Sequence, residues 1–305
     1  MLLMSQLHID IARNSTDDFN LFHDKSRWHW LRGNLFEGPI ALGFQLGGFV
    51  EYQCKLLAMN SANDLYVGQF RFSGYEFNFV HCVVPDDEVS VNLKQGKWSS
   101  GDGSSVYSRR FILKANKKPA IVGFKREANQ MTLSLPTKLP PMHMLNALPD
   151  RELVPGTSYF LKRKYMIVGN AKNFLASAGA EQSLFIDEFT DKVDFPEMYP
   201  LGLISSALLE RAVFEDIDLI SHPMIYKTQK LCIDKQQLEE LRSNDPINIL
   251  VGPDISEDAN EFGPESSSKK RVIQECVAYG KEEKPLFIAK ITLTPLNSLV
   301  NKSYD

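Results

Sequence analysis

The stretch "EGPIALGFQLGGFVEYQCKLLAMN", residues 37–60, decides the fold. Ile40, Phe44, Leu46, Phe49, Val50, Leu56 and Leu57 fall on nearly every side of a helix beginning after Gly38-Pro39, and a helix apolar on most sides belongs in the middle of a domain. Its wrapping follows in the chain. The runs "DLYVGQFRFSGYEFNFVHCVVPDDEVSVNL" (64–93), "SRRFILKA" (108–115), "PAIVGFKRE" (119–127) and "MTLSL" (131–135) read as strands separated by Gly, Asp, Asn and Lys-Lys-Pro turns. One buried helix followed by several antiparallel strands is an α+β arrangement.

The pattern then recurs. "DFNLFHD" (18–24) is answered by "EQSLFID" (181–187), and Phe36, Leu42-Gly43 and Glu51 are answered by Phe195, Leu201-Gly202 and Glu210. Strand-like runs follow again: "PMIYKTQKLCID" (223–234), "PINILVG" (246–252), "KKRVIQECVAYG" (269–280) and "KPLFIAKITLTPL" (284–296). The interruption at 253–270 is polar, acidic and rich in Ser, Pro and Gly, so an exposed loop is expected there. Pro136, Pro140, Pro141 and Pro149 mark 136–150 as a linker, which predicts a first domain over 1–135 and a second over 151–305.

The 305 residues, 43% of them hydrophobic and 24% charged, suffice for two cores, and a formal charge of -4 gives no basic field for nucleic acid. Cys54, Cys82, Cys232 and Cys276 lie far apart with no CxxC pair, and the first 30 residues lack a signal-peptide core. A cytoplasmic protein with free thiols is expected. No apolar run approaches the roughly 20 residues that a transmembrane helix requires. His8, His81, His143 and His222 show no ligand spacing, so no metal site is expected.

Chemistry concentrates at Asp18, Asn20 and His23. Taken alone, these residues admit a helix cap beside a structural histidine or an acid/base pair. Glu51 and Glu210, at equivalent points of the two helices, each need a partner if buried. Trp28, His29 and Trp30 form an aromatic cluster that either packs or closes over the site.

In order, Asp18-Phe19-Asn20-x-x-His23, Gly38-Pro39-Ile40-Ala41-Leu42-Gly43-Phe44 and "FNFVHCVVPDDEVSV" (77–91) resemble the MaoC-like hydratases of the hotdog fold. The resemblance implies a double hotdog: two tandem domains, each a long helix wrapped by an antiparallel sheet. It implies an (R)-specific enoyl-thioester hydratase or 3-hydroxyacyl-thioester dehydratase, a hydro-lyase of fatty acid metabolism. Its substrate is carried on coenzyme A or an acyl-carrier protein, with no further cofactor. Asp18 and His23 become the acid/base pair, Asn20 a supporting polar residue and the Gly43 N–H the oxyanion donor. Phe44, Leu46, Phe49, Phe77 and Phe79 are candidates for the acyl pocket, with core packing as the other reading. Arg27, Arg32, Arg109 and Arg110 are available for phosphates.

Two positions depart from the family pattern: Leu21 stands where a proline usually follows the motif Asn, and Leu42 where a His often precedes the Gly. The second copy presents Glu181 and Ile186 in place of Asp18 and His23, so any chemistry belongs to the first half. The chain is expected as a monomer acting as a pseudo-dimer, or as a homodimer. Two other functions stay open: a hotdog thioesterase using Asp18, and a non-catalytic acyl-binding or interaction protein.

Overall fold

The computed structural model describes residues 1–60, 69–101, 104–257 and 271–298. After a two-residue strand β1 (Leu2–Leu3), Ser5 opens α1 (Gln6–Thr16) with a capping box. Its Oγ accepts the His8 N–H at 3.3 Å, while His8 Nδ1 accepts the Ser5 N–H at 3.0 Å. The expected buried helix is α2 (Gly43–Asn60), preceded by an extended 40–42 segment. Then come β2 (Phe72–Phe79), β3 (Glu88–Leu93), β4 (Lys97–Gly101), β5 (Ser104–Ala115) and β6 (Lys118–Ala128).

The second half repeats the plan after α3 (Met142–Ala147) and β7 (Glu152–Leu153): β8 (Phe160–Tyr165), α4 (Val168–Ser177), short β9 (Ile186–Asp187) and β10 (Lys192–Val193). Its long helix is split at Leu203 into α5 (Met198–Gly202) and α6 (Ile204–Phe214). Pro200 has no N–H to give, and Leu203 donates back to the Pro200 carbonyl in a tighter turn. β11 (Met224–Asp234), α7 (Lys235–Glu240), β12 (Pro246–Val251), β13 (Ile255–Glu257), β14 (Arg271–Tyr279) and β15 (Pro285–Pro295) complete it.

All strands but β9 and β10 join one antiparallel sheet, whose path runs β1-β3-β5-β6-β2-β11-β15-β14-β12-β8-β7. Read outward from the β2/β11 seam, each side repeats the order of the other, which is the two-fold arrangement of a duplicated unit. The seam runs in register from Thr228 opposite Asn78 to Asp234 opposite Phe72, and Arg71 closes its end on Asp234 at 2.6 Å. The longer helices pack into a continuous core that includes Phe44, Phe49, Phe77, Phe111, Phe174 and Ile204.

The segment 131–135, expected as a strand, is not one: Met131 and Leu133 instead pack against a smaller cluster around Leu161, Leu250 and Ile288. The proline-rich segment contributes to the same cluster through α3, whose Leu145 is fully buried. The 80–87 part of the first strand run is a turn, because Pro85 cannot donate to a ladder and Asp86 takes a left-handed φ of 71°. Of the loop expected at 253–270, β13 is a short strand on β14, and 258–270 lies outside the described residues, as does 61–68 at the start of the first strand run. No helix among the described residues is long and apolar enough to cross a membrane.

Candidate active site

A chain of short-range hydrogen bonds places Asp18 and His23. Asp17 turns left-handed (φ 56°) to end α1, and the Asp18 N–H reaches back to the Arg13 carbonyl at 2.9 Å. Asp18 Oδ1 accepts the Asn20 N–H at 2.8 Å, and Asn20 Oδ1 accepts the Phe22 N–H at 3.1 Å, capping the single turn Leu21–His23. The supporting role expected of Asn20 is thus local: it caps the turn that carries His23. Asp24 braces the turn from outside with Arg13 (3.1 Å) and Arg27 (2.7 Å). Although burial opposes it, the Arg27 hydrogen bond leads in holding the Asp24 carboxyl down at about 2.

His23 Nδ1 lies 2.7 Å from the Ile40 carbonyl, which can only accept, so the ring proton sits on Nδ1 and the Nε2 lone pair is left open. Nε2 stands 3.9 Å from Asp18 Oδ2, too far for a direct hydrogen bond and close enough for one water to touch both. Asp18 Oδ2 has no hydrogen-bond partner although its side chain is 1% exposed. Burial, outweighing the attraction of Asp18, pushes the His23 pKa below its ordinary value and keeps the imidazole neutral near pH 7. From the other half, Tyr226 donates to or accepts from Ser205 at 2.8 Å, and burial with the Asp18 charge raises its hydroxyl pKa.

Two cavities open here. One of about 750 Å³ has Asp18 in its wall, together with Arg13, Phe160, Glu210 and Phe214. The other, of about 650 Å³, runs between the 19–31 segment and the second half, lined by Phe22, Leu208, Leu209, Met224, Tyr226 and Leu293. Both share Phe19 and Val213. The expected acyl-pocket residues are elsewhere. Phe44, Leu46, Phe49 and Phe77 are buried in the core, and Phe79 packs against it. None of the five lines either cavity, because the apolar wall comes from α6 and the strands of the second half.

Gly43 begins α2, where its N–H has no carbonyl four residues back within the helix. A Cβ on Gly43 would meet the Phe79 ring at 2.9 Å and Gln229 Nε2 at 3.4 Å, so the glycine permits a close approach. Leu21 packs against the small cluster of Phe22, Leu31, Ile40 and Leu296, while Leu42 belongs to the main core. Trp28, His29 and Trp30 stack edge-on along one another with Trp30 half exposed. The tie from this segment to the second half is instead the Arg32 N–H on the Ile220 carbonyl at 3.0 Å.

The hydrogen bonds also correct the correspondence between halves by one residue. Gly179 takes the left-handed φ of Asp17 and Ala180 N–H reaches Leu175 as Asp18 reaches Arg13, whereas Asp187 Oδ1 accepts the Phe189 N–H as Asp24 Oδ1 accepts the Ser26 N–H. The counterpart of Asp18 is therefore Ala180, not Glu181, while Ile186 keeps the place of His23. Phe185 lines a third cavity, of about 280 Å³, with Glu51, Lys55, Lys125 and Glu197. There Lys55 Nζ lies 3.9 Å over the Phe185 ring, Lys125 bridges Glu127 (3.1 Å) and Glu197 (3.6 Å), and Tyr75 donates to Glu197 at 2.5 Å. Glu51 accepts the Glu197 and Met198 N–H groups at 2.8 and 2.9 Å, capping α5, whereas Glu210 pairs with Arg151 (2.7 Å) and Lys162 (2.9 Å). Arg109 lines this third cavity rather than the Asp18 side.

Sequence reading missed Ser205, Tyr226, Gln229 and the Lys125 cluster, which approach only through the fold. One signal was present: Leu231 and Ile233 face the core, so the same alternation turns Gln229 inward. Among the described residues no group of three His, Cys, Asp or Glu side chains is arranged to hold a metal, and the four cysteines are unpaired.

No protein-family model and no curated protein matches this sequence. Solved structures do match over nearly the whole chain. A MaoC-like dehydratase is 10% identical with a TM-score of 0.57, covering 96% of this chain and 94% of its own. A conserved hypothetical protein from Mycobacterium tuberculosis, described as having a double hotdog fold, is 9% identical with a TM-score of 0.59, covering 97% and 93%. A MaoC-like dehydratase from Phytophthora capsici is 12% identical with a TM-score of 0.55, covering 96% and 93%. At these identities the likeness is one of fold, the double hotdog.

Proposed function

We propose that the chain is an acyl-thioester hydratase/dehydratase in which Asp18 and His23 handle one water between them. The observation that carries this reading is the buried, unpartnered Asp18 Oδ2 facing the open Nε2 of a neutral His23 at 3.9 Å. Leaving a buried carboxylate oxygen unsatisfied is costly, and a substrate water that also touches His23 removes that cost. The double hotdog fold, shared with MaoC-like dehydratases, supports the same assignment.

In hydration the water oxygen bonds to the β-carbon of the enoyl group, and the C=C π pair moves toward the thioester as an enolate. His23 Nε2 takes a proton from the water, Asp18 Oδ2 holds the remaining O–H, and the proton returns to the α-carbon. The charge that builds on the thioester oxygen falls to the Gly43 N–H at the positive end of α2. The apolar cavity beside Tyr226 takes the acyl chain, with coenzyme A or an acyl-carrier protein as carrier. We read 1–135 and 151–305 as the two hotdog domains, joined by 136–150, so that the second domain supplies the acyl wall and the first the chemistry.

Loss of enoyl absorbance from a crotonyl or longer enoyl thioester, set beside a free-thiol assay, tests the reading. Asp18→Asn and His23→Ala should each lower hydration by about 10² or more. Unchanged hydration in both variants overturns the assignment. Thiol release that depends on Asp18, with the enoyl group intact, makes the protein a thioesterase; an acyl ligand recovered without any turnover makes it a carrier.

A further inference from the structure

Gln229, in the middle of β11, is fully buried, and neither its Nε2 nor its Oε1 has a hydrogen-bond partner. Its strand neighbours across the ladders are Phe77 on β2 and Ile291 on β15, both fully buried apolar residues that offer no side-chain partner. A buried amide normally finds partners, and an atom left without one is costly, so Gln229 is an unfavourable residue where Leu or Met would pack without that penalty.

The amide lies at the first turn of α2. Its Nε2 is 3.4 Å from where a Cβ on Gly43 would stand, and the Phe79 ring, 2.9 Å from the same point, packs beside it. Two donors therefore stand side by side: the first N–H of an 18-residue helix and a side-chain amide from the opposite half. A carbonyl oxygen is the chemistry that suits both, since it accepts two hydrogen bonds and carries no proton of its own.

We propose that Gln229 donates its Nε2 amide to the thioester carbonyl oxygen beside the Gly43 N–H, so that the oxyanion site is built from both halves of the chain. This rests on the hydratase reading for the identity of the carbonyl, and it makes Gln229 a catalytic residue outside the Asp18 motif. Entry of the carbonyl moves the Phe79 ring aside, which couples carbonyl binding to the position of an aromatic side chain whose centroid is 6.4 Å from that of Tyr226.

The test uses the full-length protein and the Gln229→Met variant, which keeps shape and removes both polar atoms. Binding of hexanoyl-coenzyme A is compared with that of its thioether analogue, which lacks the carbonyl oxygen, and thermal unfolding is followed in parallel. The expected result is a wild type that prefers the thioester by at least tenfold, a variant that has lost that preference, and a melting temperature in the variant that is equal or higher. If the protein hydrates enoyl thioesters, kcat in the variant falls by about 10²–10³, the size of a lost oxyanion donor. A preference that survives in Gln229→Met, a wild type without preference, or a wild type that binds neither compound overturns the inference. Loss of the preference together with absent hydration in the wild type leaves the carbonyl donor standing and removes the hydratase reading, so the two failures are told apart.

Discussion

The two sides of the fold carry buried charge and use it in opposite ways. On the first side Asp18 has one oxygen fixed by the Asn20 N–H and the other unpartnered toward His23. On the second, Ile186 replaces the imidazole and the acids are occupied: Glu51 by two backbone N–H groups, Glu197 by Tyr75 and Lys125, Glu127 by Lys125 and Lys235. Burial alone therefore does not mark a reactive site. A polar atom left open beside a void does, and a network that satisfies its own members is architecture.

The sharpest way to break this comparison is to ask which side turns over substrate. Asp18→Asn and His23→Ala should lower hydration by about 10²–10⁴, whereas Ile186→His on the other side should create no second activity, because Ala180 offers no carboxylate there. Turnover that survives the first pair and responds to Ile186 would reverse the roles of the two sides. Next in size is stability: Lys125→Met removes the cation shared by Glu127 and Glu197 and should cost about 3–5 kcal/mol in urea unfolding, while Asp18→Asn should change stability little or raise it. Equal losses in the two variants would erase the distinction between a site and a scaffold.

The third test is a titration. Burial first, then the Glu197 charge, holds the Glu51 carboxyl up at about 7 against an ordinary 4.5, outweighing the two backbone N–H groups. The folded protein keeps a proton that the unfolded chain releases. The Glu51 contribution is thus complete below 4.5 and is lost as pH rises through 7, a change of up to about 3 kcal/mol. His23, with its pKa depressed by burial, has the opposite sign: its contribution is full above 6.5 and is lost as pH falls. Subtracting the unfolding profile of Glu51→Gln from that of wild type isolates the first slope, and an unchanged profile removes Glu51 from the account. The smallest effect is expected at Asn20: Asn20→Ala leaves the Phe22 N–H uncapped and should cost about 1 kcal/mol, read in denaturant unfolding.

Much of the architecture was legible because its signals are local and periodic. The all-round apolar run of 37–60 became α2, and the alternating runs after it became strands, since side-chain period and burial are set within a few residues. The motif residues Asp18, Asn20 and His23 came together because short Asx-type bonds hold them within one turn. What stayed illegible depends on contacts between halves. The acyl wall was sought in Phe44 and Phe77, yet the apolar residues of α2 and β2 are consumed by the core, and Leu208 and Met224 form the void. Repeat alignment erred by one residue at Ala180, because a loop can absorb a residue without changing the flanking letters, while the backbone hydrogen bonds fix the register.

The β2/β11 seam has a consequence in time as well as in space. From Phe79 to Met224 the ribosome has well over a hundred residues still to add, which at 5–20 residues per second takes about 7–30 s. Throughout that interval the first half, even if already folded, presents β2 as a bare edge of unpaired N–H and C=O groups, ready to join any other nascent copy of itself. The shared sheet thus leaves each newborn chain waiting for its own second half, and at high expression the rival for that edge is a neighbour's β2.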